Sequence, residues 1–556
     1  MRTEDEYGSN KFWWKRRTGM ERRLIIVAAI TTSAMVGLLV ALLVIQSAQK
    51  LYPIRIYTLK HLYVSDRYVV CDSPNCVRAA NELLSYIDGD IAPCDDFYQF
   101  ACGNFFRDTN SDDDKSSSMK EIMDNILINQ IREMIEVAVK KDDKPSVAKT
   151  KAFYRGCMNE SGNDSQALKI MRDILKDIGG WPTIDTNWKE NDFEWFRATP
   201  KLRKYGYVFD LFLSIEIGIN DHDENKHIIE VSTSKMAFTL KDLYIQAFIT
   251  DDMKENVRAM TEIIRRRFDK RIKKFDWLDE SGVERAKEKI ASVVSFVADF
   301  DHVYHKIEAA YKNIEIHEDR FLLSLLQLRK IKKDLEYAQI NEAVTHERED
   351  KSRIYNFREN RLVIPVDYLH GIYYDIYRPN YMNYAALGAI IARELSNMFL
   401  EGRYYDVRGI QFERTSSESF VNYYNKLKCH QEQFVSFYVP EVKMMVNKSL
   451  IEEDLAEIAG LRLAYDAYLF WSSNNDLEAN IPGLNYTQSQ IFWITTVLQE
   501  CVRDTPEKAE EILSSDNITL SRFRVNGALR NLEEFTNAFH CPLGTAMNPA
   551  KKCKMW

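Results

Sequence analysis

An arginine, a glutamate and an asparagine interrupt the apolar segment ALGAIIARELSNMF in the carboxy-terminal half of the chain. Arg393 and Asn397 are four residues apart, so on a helix they share one face, with Glu394 between them. In zinc peptidases of the H-E-x-x-H type, this spacing places two histidine ligands around a glutamate that activates the zinc-bound water. Here neither ligand position carries an imidazole. By itself, the string is better explained as a buried helix with a paired charge.

The histidines elsewhere offer no stronger metal-binding pattern. His346 begins the string H-E-R-E-D, but the run around it alternates in charge and has no apolar helix behind it. His302 and His305 are three residues apart near two aspartates, a spacing that is common among surface residues.

The elements that must position the Arg393 segment follow from the spacing of the apolar residues. Residues 383–400 predict a long apolar helix, and a second helix is predicted over about residues 450–470. The β-branched segment RLVIPVDYL (residues 361–369) predicts a strand, and the charged run at residues 341–353 predicts an exposed connector. The preceding half is predicted to be mainly helical, with helices over residues 117–141, 242–272 and 277–290.

The composition and one apolar run indicate the class of protein and its cellular location. A net charge of −8, well mixed along the chain, argues against a nucleic-acid binder. The run from Leu24 to Ile45 carries no charge and is long enough to cross a bilayer core of about 30 Å. More basic residues precede this run than follow it, which predicts a cytoplasmic amino terminus and an extracellular remainder. A cleaved signal peptide or a buried helix is the alternative, but a signal core is shorter, about 7–15 residues.

Two further features agree with an extracellular destination. All nine cysteines follow the apolar run, and in an oxidising compartment they are expected to form disulfides, with one left over. Five N-x-S/T sequons also follow it, which predicts glycosylation at Asn159, Asn163, Asn447, Asn485 and Asn517.

Five blocks of sequence then favour a functional interpretation of the helix that carries Arg393. They are APCDDFYQFACGNF (residues 92–105), FYRGCMNE (153–160), FDWLDESGVERAKEKI (275–290), EEDLAEIAGLRLAYDAY (452–468) and HCPLGTAMNPAKKCKMW (540–556). Together they resemble the neprilysin and endothelin-converting-enzyme family of zinc metalloendopeptidases over almost the whole chain. The resemblance implies a mainly α (α+β) fold with two lobes, the second of them thermolysin-like, on a single transmembrane helix.

The resemblance also assigns roles to individual positions. The family's two zinc-binding histidines fall on Arg393 and Asn397, and its general base falls on Glu394. The third zinc ligand falls on Glu453, and the acid that orients a histidine falls on Glu457. Both acidic positions on the second helix are therefore retained as carboxylates, whereas both histidines are replaced.

Three further roles concern the peptide substrate. The arginine that holds substrate carbonyls falls on Arg524, and the histidine that assists the transition state falls on Ile518. The Asn-Ala pair that binds the substrate backbone falls on Ser352 and Arg353.

These replacements predict a chain without the family's zinc cofactor. A guanidinium has no lone pair to donate and stays protonated, so Arg393 would repel a dication. Without zinc, Glu394 has no acidified water to deprotonate. We therefore expect a pseudoenzyme whose Arg393 pairs with Glu394, Glu453 or Glu457, and which binds peptides or a protein partner in its cleft. The alternative is an active zinc metalloendopeptidase that cleaves oligopeptides with an altered metal site.

The family resemblance implies four disulfides and a domain plan. The pairs are Cys71–Cys76, Cys94–Cys541, Cys102–Cys501 and Cys429–Cys553. Cys157 is left over because its usual partner falls in a segment missing near residues 230–241, so a free buried thiol and an intermolecular disulfide (a homodimer or heterodimer) both stay open. The predicted division is a cytoplasmic tail at 1–23, an anchor at 24–46, a stalk and helical lobe at 47–342, and a peptidase-like lobe at 343–556. The expected location is the plasma membrane, as a single-pass type II protein.

Overall fold

The structure is a computed structural model of the chain. It describes residues 17–21, 70–108, 117–141, 143–206, 214–220, 223–232, 248–298, 309, 312, 314–338, 340, 354–357, 359–399, 405–407, 417–434, 437–439, 444–445, 452–514 and 519–554. Residues 69–556 form one compact unit, and residues 1–68 form another. Within the described ranges, no helix is both long and apolar enough to cross a membrane. The predicted anchor at 24–46 and the connector at 341–353 lie outside these ranges.

Helices dominate the part of the chain before the connector, as predicted. The elements are α1 (Pro74–Tyr86), α2 (Phe97–Asp108), β1 (Ser117–Ser118), α3 (Met119–Glu136), α4 (Pro145–Met158), α5 (Glu160–Ile178), a 3-10 turn (Glu190–Asp192), α6 (Trp195–Lys204), β2 (Ser214–Asn220), β3 (Asp223–Ser232), α7 (Asp251–Ile272), α8 (Glu280–Ala291), β4 (Val294–Val297) and α9 (Phe321–Ala338).

The part after the connector is also mainly helical. Its elements are β5 (Tyr355–Asn356), β6 (Arg361–Ile364), a 3-10 turn (Val366–Tyr368), α10 (Asn380–Asn383), a π-helical segment (Tyr384–Gly388), α11 (Ala389–Ser396), a 3-10 turn (Asn397–Phe399), α12 (Ser417–Phe434), β7 (Tyr438–Val439), β8 (Met444–Met445), α13 (Glu452–Asn474), α14 (Gln488–Leu498), β9 (Val502–Arg503), α15 (Pro506–Ser514), α16 (Ser521–Leu529) and α17 (Glu533–Ala538).

Side-chain caps explain where several helices begin. At α3, the Ser118 hydroxyl accepts from the Glu121 backbone N–H while the Glu121 carboxylate accepts from the Ser118 N–H, a reciprocal capping box. Thr487 and Gln490 form the same arrangement at α14. Asp279 caps α8 through a 2.7 Å bond from the backbone N–H of Gly282. These three helices therefore start at polar residues that satisfy their free amides, and α3 and α8 were among the predicted helices.

A small mixed sheet lies beside the helices. Strand β6 is its centre, and it pairs in parallel with β4 and in antiparallel with β5. The sheet therefore contains strands from both sides of the connector. The strand predicted over residues 361–369 is shorter than expected, because it ends at Ile364 and the next residue, Pro365, has no N–H for a ladder.

The predicted helix over residues 383–400 is confirmed as a continuous helical stretch from Asn380 to Phe399, built from α10, the π-helical segment, α11 and the closing 3-10 turn. The second predicted helix is confirmed as α13. These two segments and α14 pack together in the core, where Tyr381, Tyr384 and Trp493 are fully buried. Large apolar groups thus fix the positions of the helices that carry the polar residues of the Arg393 segment.

Candidate functional site

Helix α11 presents its polar residues on one side of an otherwise buried helix. Ile390, Ile391 and Leu395 are fully buried, whereas the side chains of Arg393 and Glu394 retain 25% and 15% exposure. The π-helical segment lies immediately before α11, and there the Leu387 N–H donates to the Tyr373 carbonyl at 3.2 Å. Single π turns inside helices are frequent at functional sites.

Helix α13 lies close to the backbone of α11 at Arg393, and a glycine makes this approach sterically allowed. A Cβ added at Gly460 would lie 2.5 Å from the backbone nitrogen of Arg393 and 2.6 Å from its Cα. Real Cβ atoms do not reach such distances, so only glycine fits here. Glu457 lies one turn earlier on α13 and is therefore held within reach of the Arg393 side chain.

Arg393 is the centre of a polar network. Its Nη1 lies 3.2 Å from Oε2 of Glu457, and its Nη2 lies 3.3 Å from Oε1 of Glu394. The second oxygen of Glu394 accepts from Nδ2 of Asn397, also at 3.3 Å. The Oδ1 atom of Asn397 is buried and has no hydrogen-bond partner among the described residues. The predicted ligand positions are therefore linked to each other, and one acceptor is unfilled.

The electrostatics of the network keep Arg393 charged. Burial alone would lower the pKa of Arg393, but the charges of Glu457 and Glu394 and the bond to Glu457 outweigh it and raise that pKa. The charges of Arg393 and Glu394 also affect the pKa of the nearby Tyr368. Its pKa is raised, chiefly by burial, with Glu394 adding to the effect and Arg393 opposing it. The Tyr368 phenol is thus a neutral hydrogen-bonding group beside the network.

This set of donors does not fit zinc. The guanidinium of Arg393 offers no lone pair to a metal, and it is already paired with the carboxylates of Glu394 and Glu457. Asn397 offers an amide oxygen, whereas zinc prefers nitrogen, sulfur or carboxylate ligands. In the described part of the chain, no three His, Cys, Asp or Glu side chains lie close enough together to hold a metal ion. Glu453 lies on α13 one turn before Glu457, but its side chain is not in the part of the chain that the structure describes.

Arg524 lies on α16 and belongs to the same region. Its Nη2 donates to the carboxylate of Glu500, which follows α14. A small cavity brings Arg524, Glu500 and Glu457 together between α13, α14 and α16; the remaining lining residues are Leu461, Thr496, Val497, Val525 and Leu529. The structure thus places Arg393, Glu394, Asn397, Glu457 and Arg524 around neighbouring parts of one site.

Other predicted positions are not placed. Ile518, Ser352 and Arg353 lie outside the described residues, as do the histidines of the H-E-R-E-D and His302/His305 strings. Conversely, sequence reasoning missed Glu500 and Gly460. The only local signal for Glu500 is a charge at the end of the apolar helix QIFWITTVL.

The disulfides join the cysteine pairs that the resemblance implied. The bonds are Cys71–Cys76, Cys94–Cys541, Cys102–Cys501 and Cys429–Cys553. Two of them link residues 447 and 399 positions apart, which constrains the unfolded chain strongly. Cys157 is a free thiol and is exposed. The expectation of a buried thiol at this position is therefore wrong.

The sequons fall in different settings. Asn159 and Asn485 are exposed, and Asn163 lies on α5. Asn447 and Asn517 lie outside the described residues.

Comparisons with known proteins identify the family. Residues 353–555 match the sequence profile described as Peptidase family M13. A second profile with the same description matches residues 93–246 and 232–299. The chain belongs to peptidase family M13. The prediction of a neprilysin-like member is confirmed.

The relatives show how this M13 chain differs in length. An endothelin-converting enzyme homolog of Locusta migratoria is 29% identical over 60% of this chain. The matched region covers 46% of the length of that relative. Neprilysin-2 of Drosophila melanogaster and membrane metallo-endopeptidase-like 1 of Homo sapiens are each 20% identical, over 88% of this chain and 89% of their own lengths. The Drosophila match extends over 692 aligned positions, whereas 88% of 556 residues is about 490, so about 200 positions have no counterpart here.

Solved structures share the fold. The Haemonchus galactose containing glycoprotein complex matches with a TM-score of 0.70 at 16% identity, covering 88% of this chain and 100% of that one. The zinc metalloprotease ZMP1 of Mycobacterium tuberculosis, in complex with an inhibitor, matches with a TM-score of 0.67 at 13% identity, covering 85% and 99%. At these identities the likeness establishes the M13 fold alone.

Proposed function

We propose that this chain is a catalytically silent M13 homologue whose cleft binds a peptide or a protein segment without cleaving it. One observation carries the proposal: the guanidinium of Arg393, the residue to which the family resemblance assigns a zinc-binding histidine, pairs with Glu394 and Glu457. The pairing supplies internally the positive charge that these carboxylates need, because two buried carboxylates without a cation would be costly.

The loss of hydrolysis follows from the chemistry of the replaced groups. In the family mechanism a metal polarises the scissile carbonyl and acidifies the attacking water. Arg393 cannot replace the metal, because a guanidinium has no vacant orbital with which to bind a water or carbonyl oxygen. The carboxylate of Glu394 instead accepts hydrogen bonds from Arg393 and Asn397. Glu394 is therefore proposed as a structural member of the network rather than a general base.

Unfilled hydrogen-bonding groups support binding. The Oδ1 atom of Asn397 is a buried acceptor without a donor, and Nε of Arg524 is a buried donor without an acceptor, both within the described chain. A peptide unit offers one N–H and one C=O, which are the groups that these two side chains lack, and it would reach the two enclosed atoms where neighbouring side chains move aside.

The setting of the site is proposed from the sequence. The apolar run at residues 24–45, the five sequons and the four disulfides favour a type II membrane glycoprotein with an extracellular cleft. The partner in that cleft would then be an extracellular peptide or an exposed protein segment. A homodimer or a heterodimer with another M13 chain is an additional proposal for the exposed Cys157.

The experiment separates binding from cleavage. The purified full chain is incubated with a mixed-sequence octapeptide pool, and bound and cleaved peptides are both quantified by mass spectrometry. We expect retained peptides and no new termini, with or without added zinc. The double variant Arg393→His/Asn397→His, which restores two imidazoles, is the matched comparison. Zinc-dependent new termini with the unaltered chain would favour the rival, an altered but active zinc endopeptidase, and absence of any retained peptide would refute binding.

A further inference from the structure

The arginine that the cleft would offer to a bound chain is already engaged by an acid of the same molecule. Nη2 of Arg524 donates to Oε2 of Glu500, and their side chains are 29% and 11% exposed. An arginine carries five N–H groups, so this contact leaves others for a ligand, although the charge of Arg524 is neutralised.

Glu500 is held on a rigid part of the fold. Its backbone N–H donates to the Val497 carbonyl at 2.8 Å, and its carbonyl accepts from the Tyr98 hydroxyl at 3.1 Å. The next residue, Cys501, is joined to Cys102, and strand β9 then pairs with β1. The backbone of Glu500 therefore cannot withdraw without breaking these contacts, and in the structure its carboxylate pairs with Arg524.

The cavity beside Arg524 has an acidic balance. Glu500 and Glu457 both line it, and Arg524 is the one cation among its lining residues. Glu457 shares the charge of Arg393, but Arg393 also faces Glu394. These five side chains carry three negative and two positive charges. A further carboxylate entering here would meet repulsion that a neutral carbonyl would not.

We propose that Glu500 is a specificity-determining residue that reserves Arg524 for an uncharged carbonyl and excludes carboxylate groups. The inference deepens the proposed function and rests on it. The ligand class that follows is a chain segment whose backbone continues past Arg524, such as an internal protein segment or an amidated peptide. A free carboxyl terminus placed at Arg524 is rejected, because unlike-charge attraction to Arg524 is cancelled by Glu500 and like-charge repulsion from Glu457 remains.

The first test compares peptides that differ only in their terminal group. A mixed-sequence octapeptide pool is prepared as the C-terminal amide and as the free acid, and binding to the full chain is measured for each. The amide form is expected to bind about tenfold more tightly. In Glu500→Gln the ratio is expected to approach one or reverse, while Glu511→Gln is expected to retain the original ratio. Glu511 is the matched control because it pairs with Lys508 at the surface and is 69% exposed.

The second test needs no peptide. The melting temperature of each variant is measured in sodium acetate and in sodium chloride at equal ionic strength. Acetate is expected to raise the melting temperature of Glu500→Gln and not that of the unaltered chain or Glu511→Gln, because only the first leaves Arg524 without a carboxylate. If Glu500→Gln does not fold, Glu500→Asp, with its shorter carboxylate, is expected to give an intermediate peptide ratio.

Each result decides between the two proposals. Equal binding of acid and amide by the unaltered chain, or an unchanged ratio in Glu500→Gln, would overturn the role of Glu500 while peptide binding stands. If neither peptide form binds but acetate stabilises Glu500→Gln alone, peptide binding is refuted and carboxylate exclusion at Arg524 stands. If acetate stabilises the unaltered chain as much as the variant, the exclusion itself is wrong.

Discussion

Removing the Arg393 guanidinium should destabilise the polar network around Glu394 and Glu457 more than any other single change to it. In Arg393→Leu, the carboxylates of Glu394 and Glu457 would face each other without the cation that now lies 3.3 and 3.2 Å from them. Breaking a buried ion pair by removing one partner costs about 3–5 kcal/mol. Because Arg393 is 25% exposed, water can reach the remaining acids, and we expect a smaller loss of about 2–4 kcal/mol at pH 7.

The pH dependence of that loss provides a sharper check. In the variant, mutual repulsion should raise the folded-state pKa of the two carboxyls above the unfolded value of about 4.3. A group whose pKa is raised on folding adds stability that is present below its unfolded pKa and is lost as pH rises through its folded pKa. The deficit of Arg393→Leu should therefore be larger at pH 7 than at pH 4.5.

The assay is urea unfolding of the full chain, followed by tryptophan fluorescence with the disulfides intact. Arg155→Leu is the matched control, because Arg155 also pairs with a distant acid, Glu318, but both side chains are nearly half exposed. Such a surface pair contributes about 0–1 kcal/mol. A triple variant that adds Glu394→Gln and Glu457→Gln should recover most of the loss. A deficit no larger than that of Arg155→Leu, or one equal at both pH values, would refute the reasoning.

Three other predictions address separate features of the fold. Gly460→Ala should cost about 1–3 kcal/mol in the same urea assay, because its Cβ would meet the backbone of Arg393; an unchanged midpoint would show that α13 can shift freely. Burial lowers the pKa of Lys289 to about 7, below the unfolded value near 10.4, so the folded state binds fewer protons between these values. The stability of the unaltered chain relative to Lys289→Met should therefore rise from pH 7 to pH 10, and a flat difference would contradict the lowered pKa. Cys157 should be the one thiol that maleimide labels in the native chain, and Cys157→Ser should remove the label; labelling that requires denaturant would contradict its exposure.

The helices of the site could be predicted because local patterns determine them. The apolar residues around Arg393 and those of α13 repeat with helical spacing, and both segments are helices in the structure. Pairing of Arg393 with an acid followed from the cost of a buried charge. The choice of Glu394 and Glu457 did not, because it depends on where α13 crosses α11, at Gly460.

Contacts between distant segments account for what the sequence did not predict. Glu500 and Arg524 lie on different helices, and no local pattern links an acid after α14 to an arginine on α16. The strand over residues 361–369 was predicted too long because its β-branched residues outweighed Pro365. The π-helical segment before α11 likewise depends on a bond from Leu387 to Tyr373, which is a tertiary contact.

The zinc content of the purified full chain tests the central proposal most directly. Elemental analysis after incubation with zinc and dialysis should find far less than one zinc per chain, because the resemblance assigns the two zinc-binding histidines to Arg393 and Asn397, which are poor zinc ligands. The variant Arg393→His/Asn397→His provides the positive comparison. Stoichiometric zinc in the unaltered chain, together with chelator-sensitive cleavage of oligopeptides, would contradict a catalytically silent cleft.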